Sequence, residues 1–215
     1  MFCIVKEDRF ETSKHILLGF SLGSFLVREY LGHYQHHFSS AIIAGTGQQP
    51  SFVLKIIMTL VNQQIKKIGY EKTNDFISNL SFGTYNKKFA PNKTNVDWLC
   101  SDTKQLDSYI HDTYTKNDIS AGLFYELLGS MKRLTAKNTY DHWNKNMPIL
   151  LISGSDDPVG DSQKGVLNVK KTMEKAGLTH VTCKFYKQGR HDIFHEFELG
   201  IVDELYEDIK NWLKI

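Results

Sequence analysis

Proline, cysteine and long apolar runs are scarce in this sequence. Its 215 residues include four prolines and three cysteines. The odd cysteine number, without a C-x-x-C pair, argues against both a disulfide framework and a structural zinc site. No stretch approaches the roughly 18 apolar residues of a membrane span, and residues 1–15 lack the apolar run of a signal peptide. We therefore expect a soluble, cytoplasmic protein with free thiols at Cys3, Cys100 and Cys183 and no stable membrane insertion.

An excess of one charge sign is also missing. The 26 Lys and Arg residues nearly balance the 24 Asp and Glu residues, which gives a formal net charge of +2. Because this charge is too small to predict a phosphate-binding surface, we expect no nucleic-acid partner. Hydrophobic residues make up 41% of the chain, which is enough for one globular domain with a substantial core.

The apolar patterns that are present predict an α/β fold. Short apolar runs closed by glycine or polar residues predict strands, and apolar residues at every third or fourth position predict helices. The predicted strands are 15–18, 41–44, 148–152 and 180–186, and the helices beside them are 21–34, 162–176 and 197–213. This alternation is typical of a parallel sheet that helices cover on both faces. We therefore predict four mainly parallel strands with flanking helices.

Residues 50–142 have a different character. Two helical patterns, 52–68 and 118–132, flank a polar stretch that is rich in Asn, Lys and Thr and contains no strong strand candidate. We predict a helical insertion over 50–142, and an α/β core formed by 1–49 together with 143–215.

The sharpest chemical signal is a G-x-S-x-G pattern between a predicted strand and a predicted helix. A serine on so tight a turn needs a strained backbone, and Gly19 and Gly23 would remove Cβ atoms that collide there. The Ser21 hydroxyl would be exposed at a helix N-terminus, where the backbone N–H of Leu22 can stabilise an oxyanion. The alternative is a glycine-rich turn whose serine only caps the helix.

A nucleophilic serine needs a base, and the base needs an acid that orients it. Asp157 follows the predicted strand 148–152 and precedes a Pro-Val pair that would fix its direction, whereas Asp156 could cap the turn. His191 lies between the last predicted strand and the last predicted helix and is the candidate base. The alternative for the aspartate segment is a polar loop with an Asx turn.

Three further histidines, His33, His36 and His37, lie close together near the end of the first predicted helix. No carboxylate or cysteine accompanies them at ligand spacing, and a helix C-terminus favours cations without any metal. We therefore predict neither a metal site nor a cofactor.

The segments GFSLGS, GSDDPVG and GRHD, in this order, carry a family resemblance. From residue 15 to its end the chain resembles the α/β-hydrolase superfamily, in particular its monoacylglycerol lipase and lysophospholipase-like branch, the serine aminopeptidase S33-type hydrolases. LSFGTYNKKF, TNVDWLCSD and LDSYIHD in the insertion are similar to the lid of bacterial members. The resemblance thus implies the C-terminal half of an α/β-hydrolase sheet that carries a helical lid.

The resemblance also implies a function. Ser21 would be the nucleophile, Asp157 the triad acid and His191 the general base of a serine hydrolase that forms an acyl-enzyme. The substrates would be small lipid esters such as monoacylglycerols or lysophospholipids, with the acyl chain under the lid. Acyl transfer, or peptide hydrolysis at a free N-terminus, would use the same triad and stays open.

The chain departs from the family in two places. Phe20 stands where the family often has histidine, and we expect a local effect because that side chain does not transfer the proton. The family's H-G loop, which supplies a second oxyanion donor, lies upstream of the serine, and this sequence contains no His-Gly pair. Losing one such donor lowers turnover on the order of 10²–10³-fold. An alternative function is therefore a weak or inactive truncated hydrolase that acts as a lipid- or protein-binding module.

The resemblance predicts the strand order as well. The family's strands lie in the order 1-2-4-3-5-6-7-8, so the four strands here correspond to the contiguous half 5-6-7-8. Strand 15–18 would then be an edge with unpaired backbone groups beside uncovered apolar surface. We expect a chain that is marginally stable or that self-associates through this edge.

Overall fold

The computed structural model describes residues 15–34, 37–115 and 119–214. Cys3 and His36 lie outside these ranges. Within them, no helix combines the length and the apolar character needed to cross a membrane.

In the described residues, four strands form one parallel sheet in the order β1-β2-β3-β4. Their bounds are β1 (Ile16–Phe20), β2 (Ser40–Ala44), β3 (Ile149–Gly154) and β4 (Val181–Tyr186). Phe20 lies in register with Ala44, and Ala44 with Ile152, so the carboxyl ends of the strands meet at one edge of the sheet. The predicted α/β fold with a contiguous, parallel half-sheet is confirmed, and the carboxyl edge is where such sheets build their sites.

Seven α-helices accompany the sheet in the described chain. They are α1 (Leu22–Tyr34), α2 (Ser51–Ile68), α3 (Asp75–Ser78), α4 (Thr103–His111), α5 (Ala121–Arg133), α6 (Lys164–Lys175) and α7 (Ile201–Leu213). α1 and α6 pack on one face of the sheet, and α7 packs on the other. Every residue of β2 and β3 is buried, because strands covered on both faces have no solvent side.

In the described residues between β2 and β3, all regular elements of the predicted insertion are helical, and irregular segments connect them. α2 and α5 pack together around a separate cluster of buried side chains, which includes Leu54, Val61, Phe124 and Leu128. Between them lie α3, a π-helical turn at Asn79–Gly83, a 3-10 turn at Asn86–Phe89 and α4. This separate cluster supports the proposed division into a core and an insertion.

Several helix boundaries differ from those predicted. The last helix begins at Ile201 instead of 197, because Gly200 before it has a left-handed φ of 68°. α6 begins at Lys164 instead of 162, because residues 161–163 all have left-handed φ values between 48° and 83°. Periodicity does not reveal such turns, since it reports only which side chains face the core.

Candidate active site

The strand-to-helix turn at Ser21 is a single residue long. β1 ends at Phe20, α1 begins at Leu22, and Ser21 between them has a left-handed φ of 52°. This conformation costs a residue with a side chain about 1–2 kcal/mol. The N–H of Ser21 donates to the carbonyl of Ala44 at 3.0 Å, and its carbonyl accepts the N–H of Ser24 at 2.9 Å. These bonds hold Ser21 at the carboxyl edge of the sheet.

The two glycines around Ser21 differ in their surroundings. A Cβ at Gly19 would overlap the carbonyl oxygen of Gly23 and would lie 2.5 Å from Cγ2 of Val27. A Cβ at Gly23 would meet nothing within 4 Å. The expectation that both glycines prevent a collision is therefore wrong for Gly23. Other atoms occupy the space that a side chain would need at Gly19, whereas that space is empty at Gly23.

Asp157 lies three residues beyond the end of β3 and is fully buried. Its Oδ1 accepts the N–H of Val159 at 2.9 Å, and its Oδ2 accepts the Ser153 hydroxyl at 3.2 Å. Asp156 lies at the surface instead, where its carbonyl accepts from Lys88 Nζ at 2.9 Å. Of the two candidate aspartates, only Asp157 has its carboxylate directed into the core of the site.

His191 joins the serine to this aspartate. Its Nε2 lies 2.8 Å from Oγ of Ser21, and its Nδ1 lies 3.0 Å from Oδ1 of Asp157. With a proton on Nδ1, the imidazole donates to the carboxylate and accepts from the serine hydroxyl. Only 1% of the His191 surface is exposed, and its bond to Asp157 is buried, whereas its bond to Ser21 is partly accessible. The structure thus brings together all three predicted residues from three separate loops.

Aromatic rings pack against the imidazole. The ring centroids of Phe20 and Trp98 lie 5.0 and 5.1 Å from that of His191. Gly45 has a left-handed φ of 58°, and a Cβ there would lie 2.9 Å from the Phe20 ring and 3.0 Å from Cε1 of His191. Phe20, the family departure noted above, therefore contacts the candidate base directly. The sequence pattern did not single out either Trp98 or Gly45. Trp98 reaches the site from the insertion, and Gly45 follows β2 without a side chain that could signal a catalytic role.

The insertion supplies an aromatic wall beside the triad residues, formed by Phe82, Tyr85 and Trp98. Phe82 stacks on Trp98 with centroids 5.5 Å apart, and Tyr85 lies 5.2 Å from Trp98. Burial, and in second place the negative charge of Asp157, raises the pKa of Tyr85 to about 12. The Tyr85 hydroxyl therefore keeps its proton beyond the pH at which an ordinary tyrosine ionises.

The other histidines form no comparable cluster in the part of the chain that the structure describes. There, no three His, Cys, Asp or Glu side chains come together in a way that could hold a metal ion. His33 is exposed on α1, and His195 pairs with the Asp192 carboxylate at 2.8 Å.

A family model described as serine aminopeptidase, S33, matches residues 2–198, which is most of the chain. The chain belongs to this hydrolase family. The resemblance stated from the sequence motifs is thereby confirmed, as is the prediction that the chain is a hydrolase. No curated protein sequence matches this hydrolase significantly.

Solved structures share the fold of the hydrolase at low sequence identity. A thermostable carboxyl esterase from Bacillus coagulans matches with a TM-score of 0.87 and 22% identity, over 99% of this chain and 68% of its own. A monoacylglycerol lipase from Paleococcus ferrophilus matches with a TM-score of 0.66 and 18% identity, over 99% and 71%. A monoglyceride lipase from Saccharomyces cerevisiae matches with a TM-score of 0.71 and 17% identity, over 99% and 66%. The hydrolase therefore spans about two-thirds of the length of these structures.

Proposed function

We propose that this hydrolase cleaves carboxylic esters, with Ser21 as nucleophile, His191 as general base and Asp157 as the orienting acid. The observation that carries the proposal is the pair of hydrogen bonds from Ser21 Oγ through the imidazole to the buried carboxylate. If Ser21 only capped α1, its hydroxyl would bond a helix N–H, whereas here it lies against the imidazole. The strained φ of Ser21 supports a functional turn as well.

In the proposed reaction each of the three residues has one role. Ser21 Oγ attacks the ester carbonyl carbon while His191 Nε2 takes the hydroxyl proton. The same proton then goes to the leaving alcohol, and an acyl-enzyme remains on Ser21. A water molecule then attacks the acyl carbon while His191 Nε2 takes its proton. His191 passes this proton to Ser21 Oγ as the acyl C–O bond breaks, and the carboxylic acid is released. Asp157 keeps the proton on Nδ1 and stabilises the imidazolium that forms in each half-reaction.

The oxyanion of each tetrahedral intermediate needs hydrogen-bond donors. Leu22 is the first residue of α1, so its backbone N–H has no acceptor within the helix and lies directly beside the nucleophile. The positive end of the helix dipole adds to its effect. We therefore assign the N–H of Leu22 as an oxyanion donor.

Small lipid esters, such as monoacylglycerols or lysophospholipids, are the substrate class that we propose. The wall of Phe82, Tyr85 and Trp98 places apolar surface beside His191, where an acyl chain attached to the reacting carbonyl would lie. Two of the similar structures are lipases of monoacylglycerol or monoglyceride, which supports this class. p-Nitrophenyl esters of increasing chain length test it, and a kcat/KM that rises with chain length is expected. A flat profile would contradict an acyl site at the wall.

The second candidate is a weak or inactive hydrolase that binds lipid or protein. It would apply if no second oxyanion donor, which the family's H-G loop supplies, complements the N–H of Leu22.

A fluorophosphonate probe separates the two candidates, because it reacts only with an activated serine. Wild type should label at Ser21, Ser21→Ala should not, and Ser108→Ala should label fully because Ser108 is exposed on α4. A folded wild type that does not label supports the binding module instead. Equal labelling of Ser21→Ala would refute the assigned nucleophile.

A further inference from the structure

Glu196 is a fully buried carboxylate outside the proposed triad. Its two oxygens lie 3.1 and 3.0 Å from the backbone N–H of Ser101, whose hydroxyl also donates to the carboxylate. Oε1 accepts the N–H of Arg190 as well, at 2.9 Å. A buried carboxylate is costly unless donors surround it, so these bonds fix its position. Glu196 thereby joins the histidine loop, residues 187–196, to the insertion.

Two backbone hydrogen bonds lie next to this carboxylate. The N–H of His191 donates to the carbonyl of Trp98 at 3.4 Å, and the N–H of Asp192 donates to the carbonyl of Leu99 at 2.6 Å. The loop residues that follow Arg190 are therefore paired, in order, with consecutive residues of the 97–101 segment.

The Arg190 side chain adds a further connection. Like the two backbone bonds, and unlike the Glu196 carboxylate, it has its donors on the loop and its acceptors on the insertion. Its Nη1 donates to the carbonyl of Asp97 at 2.5 Å and to that of Cys100 at 3.1 Å. The guanidinium also lies over the ring of Phe89, 4.4 Å from its centroid. The Arg190 side chain thus binds the 97–101 segment at Asp97 and Cys100, and Glu196 binds it at Ser101.

The 97–101 segment also carries the ring that packs on the candidate base. Trp98 lies 5.1 Å from the His191 ring, so a shift of the segment moves both the backbone carbonyl and the indole that position the imidazole. A misplacement of about 1 Å in a reacting group can lower turnover about 10²-fold.

We infer that Glu196 and Arg190 are positioning residues, which fix the His191 imidazole by fastening its loop to the 97–101 segment. The insertion then has a second role besides covering the acyl chain, because it holds the general base in line with Ser21 and Asp157. This inference rests on the proposed function of His191.

The test compares kcat and KM on a short p-nitrophenyl ester. Glu196→Leu removes the acceptors at similar volume, and Arg190→Met removes the guanidinium but keeps the backbone. We expect kcat to fall about tenfold or more with KM nearly unchanged, because the substrate's own contacts remain. Glu196→Gln should retain most of kcat, since one amide oxygen can still accept from Arg190 and Ser101. The exposed Glu198→Leu is the matched control and should behave as wild type.

A proton NMR signal provides a second readout of the His191 position. A general loss of stability would not change this signal in the folded protein. In folded variants the far-downfield resonance of the His191 Nδ1–H, which reports its bond to Asp157, should broaden or disappear. If Glu196→Leu does not fold, Arg190→Met decides. Folded variants with wild-type kcat and an intact resonance overturn the inference. A wild type that fails to label with fluorophosphonate contradicts the proposed function instead, so the two failures are distinguishable.

Discussion

At the scale of single residues, Gly19 and Gly23 are equally distant from Ser21 in sequence but differ in what surrounds them. Gly19→Ala would drive a methyl group into the Gly23 carbonyl and Val27, both in the first turns of α1, which follows the nucleophile directly. We expect it to lower the melting temperature and to slow fluorophosphonate labelling. Gly23→Ala should be tolerated, and a gain of up to about 1 kcal/mol is expected because alanine favours helix. Equal losses in both variants would contradict the assigned difference.

Cys183 gives a prediction about alkaline pH. Burial raises the pKa of its thiol to about 11, with a smaller opposing effect of Lys170. The unfolded thiol ionises near pH 8.5, so above this pH the unfolded chain loses a proton that the folded chain keeps. The stabilisation is therefore present below about pH 8.5 and is lost as the pH rises towards the folded pKa.

Urea unfolding of wild type and Cys183→Ala, each at about pH 7.5 and about pH 10, measures this effect. Wild type should lose more unfolding free energy between the two conditions than Cys183→Ala loses. Both proteins share every other alkaline titration, so the difference between them belongs to Cys183. Identical losses would show that its thiol titrates equally in both states.

At the scale of secondary structure elements, the sequence predicts long periodic segments better than short ones. All four strands and the helices α1, α2 and α5 to α7 lie where their apolar patterns place them, because burial against the sheet or a partner helix creates those patterns. The apolar pattern does not predict α3 and α4, because these helices are short and lie in a polar stretch. They begin instead at side-chain caps, where Asn74 accepts the N–H of Ile77 and Asp102 accepts that of Lys104.

Arg28 connects α1 to two loop segments that are distant in the sequence. From α1, its buried guanidinium donates to the Tyr140 hydroxyl at 3.0 and 2.7 Å, to Thr46 Oγ1 at 3.2 Å and to the Gly47 carbonyl at 3.0 Å. Lysine cannot match this planar set of donors, so Arg28→Lys should lower the unfolding free energy by about 2 kcal/mol or more.

The exposed Arg133 is the matched control for Arg28 in urea or thermal unfolding. It pairs with Glu29 at 2.5 Å on the surface, and Arg133→Lys should change the unfolding free energy by less than about 1 kcal/mol. Similar effects of the two substitutions would mean that the buried network contributes no more than a surface ion pair.

At the scale of the whole molecule, the parts of the site that could be predicted are those that parallel strands bring together. Ser21, Asp157 and His191 each follow a strand, and the carboxyl ends of parallel strands meet at one edge, so chain order was sufficient to propose them. Trp98 and Glu196 could not be found in this way. The position of Trp98 and the partners of Glu196 depend on how the insertion folds back over the sheet, and no local pattern encodes that packing.

The β1 edge of the described sheet gives the last prediction. In the described chain β1 pairs only with β2, and Ile16 and Leu18 on β1 are 39% and 48% exposed. An edge strand with exposed apolar side chains favours pairing with another chain, so we expect the average mass in sedimentation to rise with protein concentration. Leu18→Lys should reduce this rise because a charged edge opposes pairing. Leu167→Lys, at an equally exposed leucine on α6, should leave this concentration dependence unchanged. A wild type that is monomeric at every concentration would contradict self-association through β1.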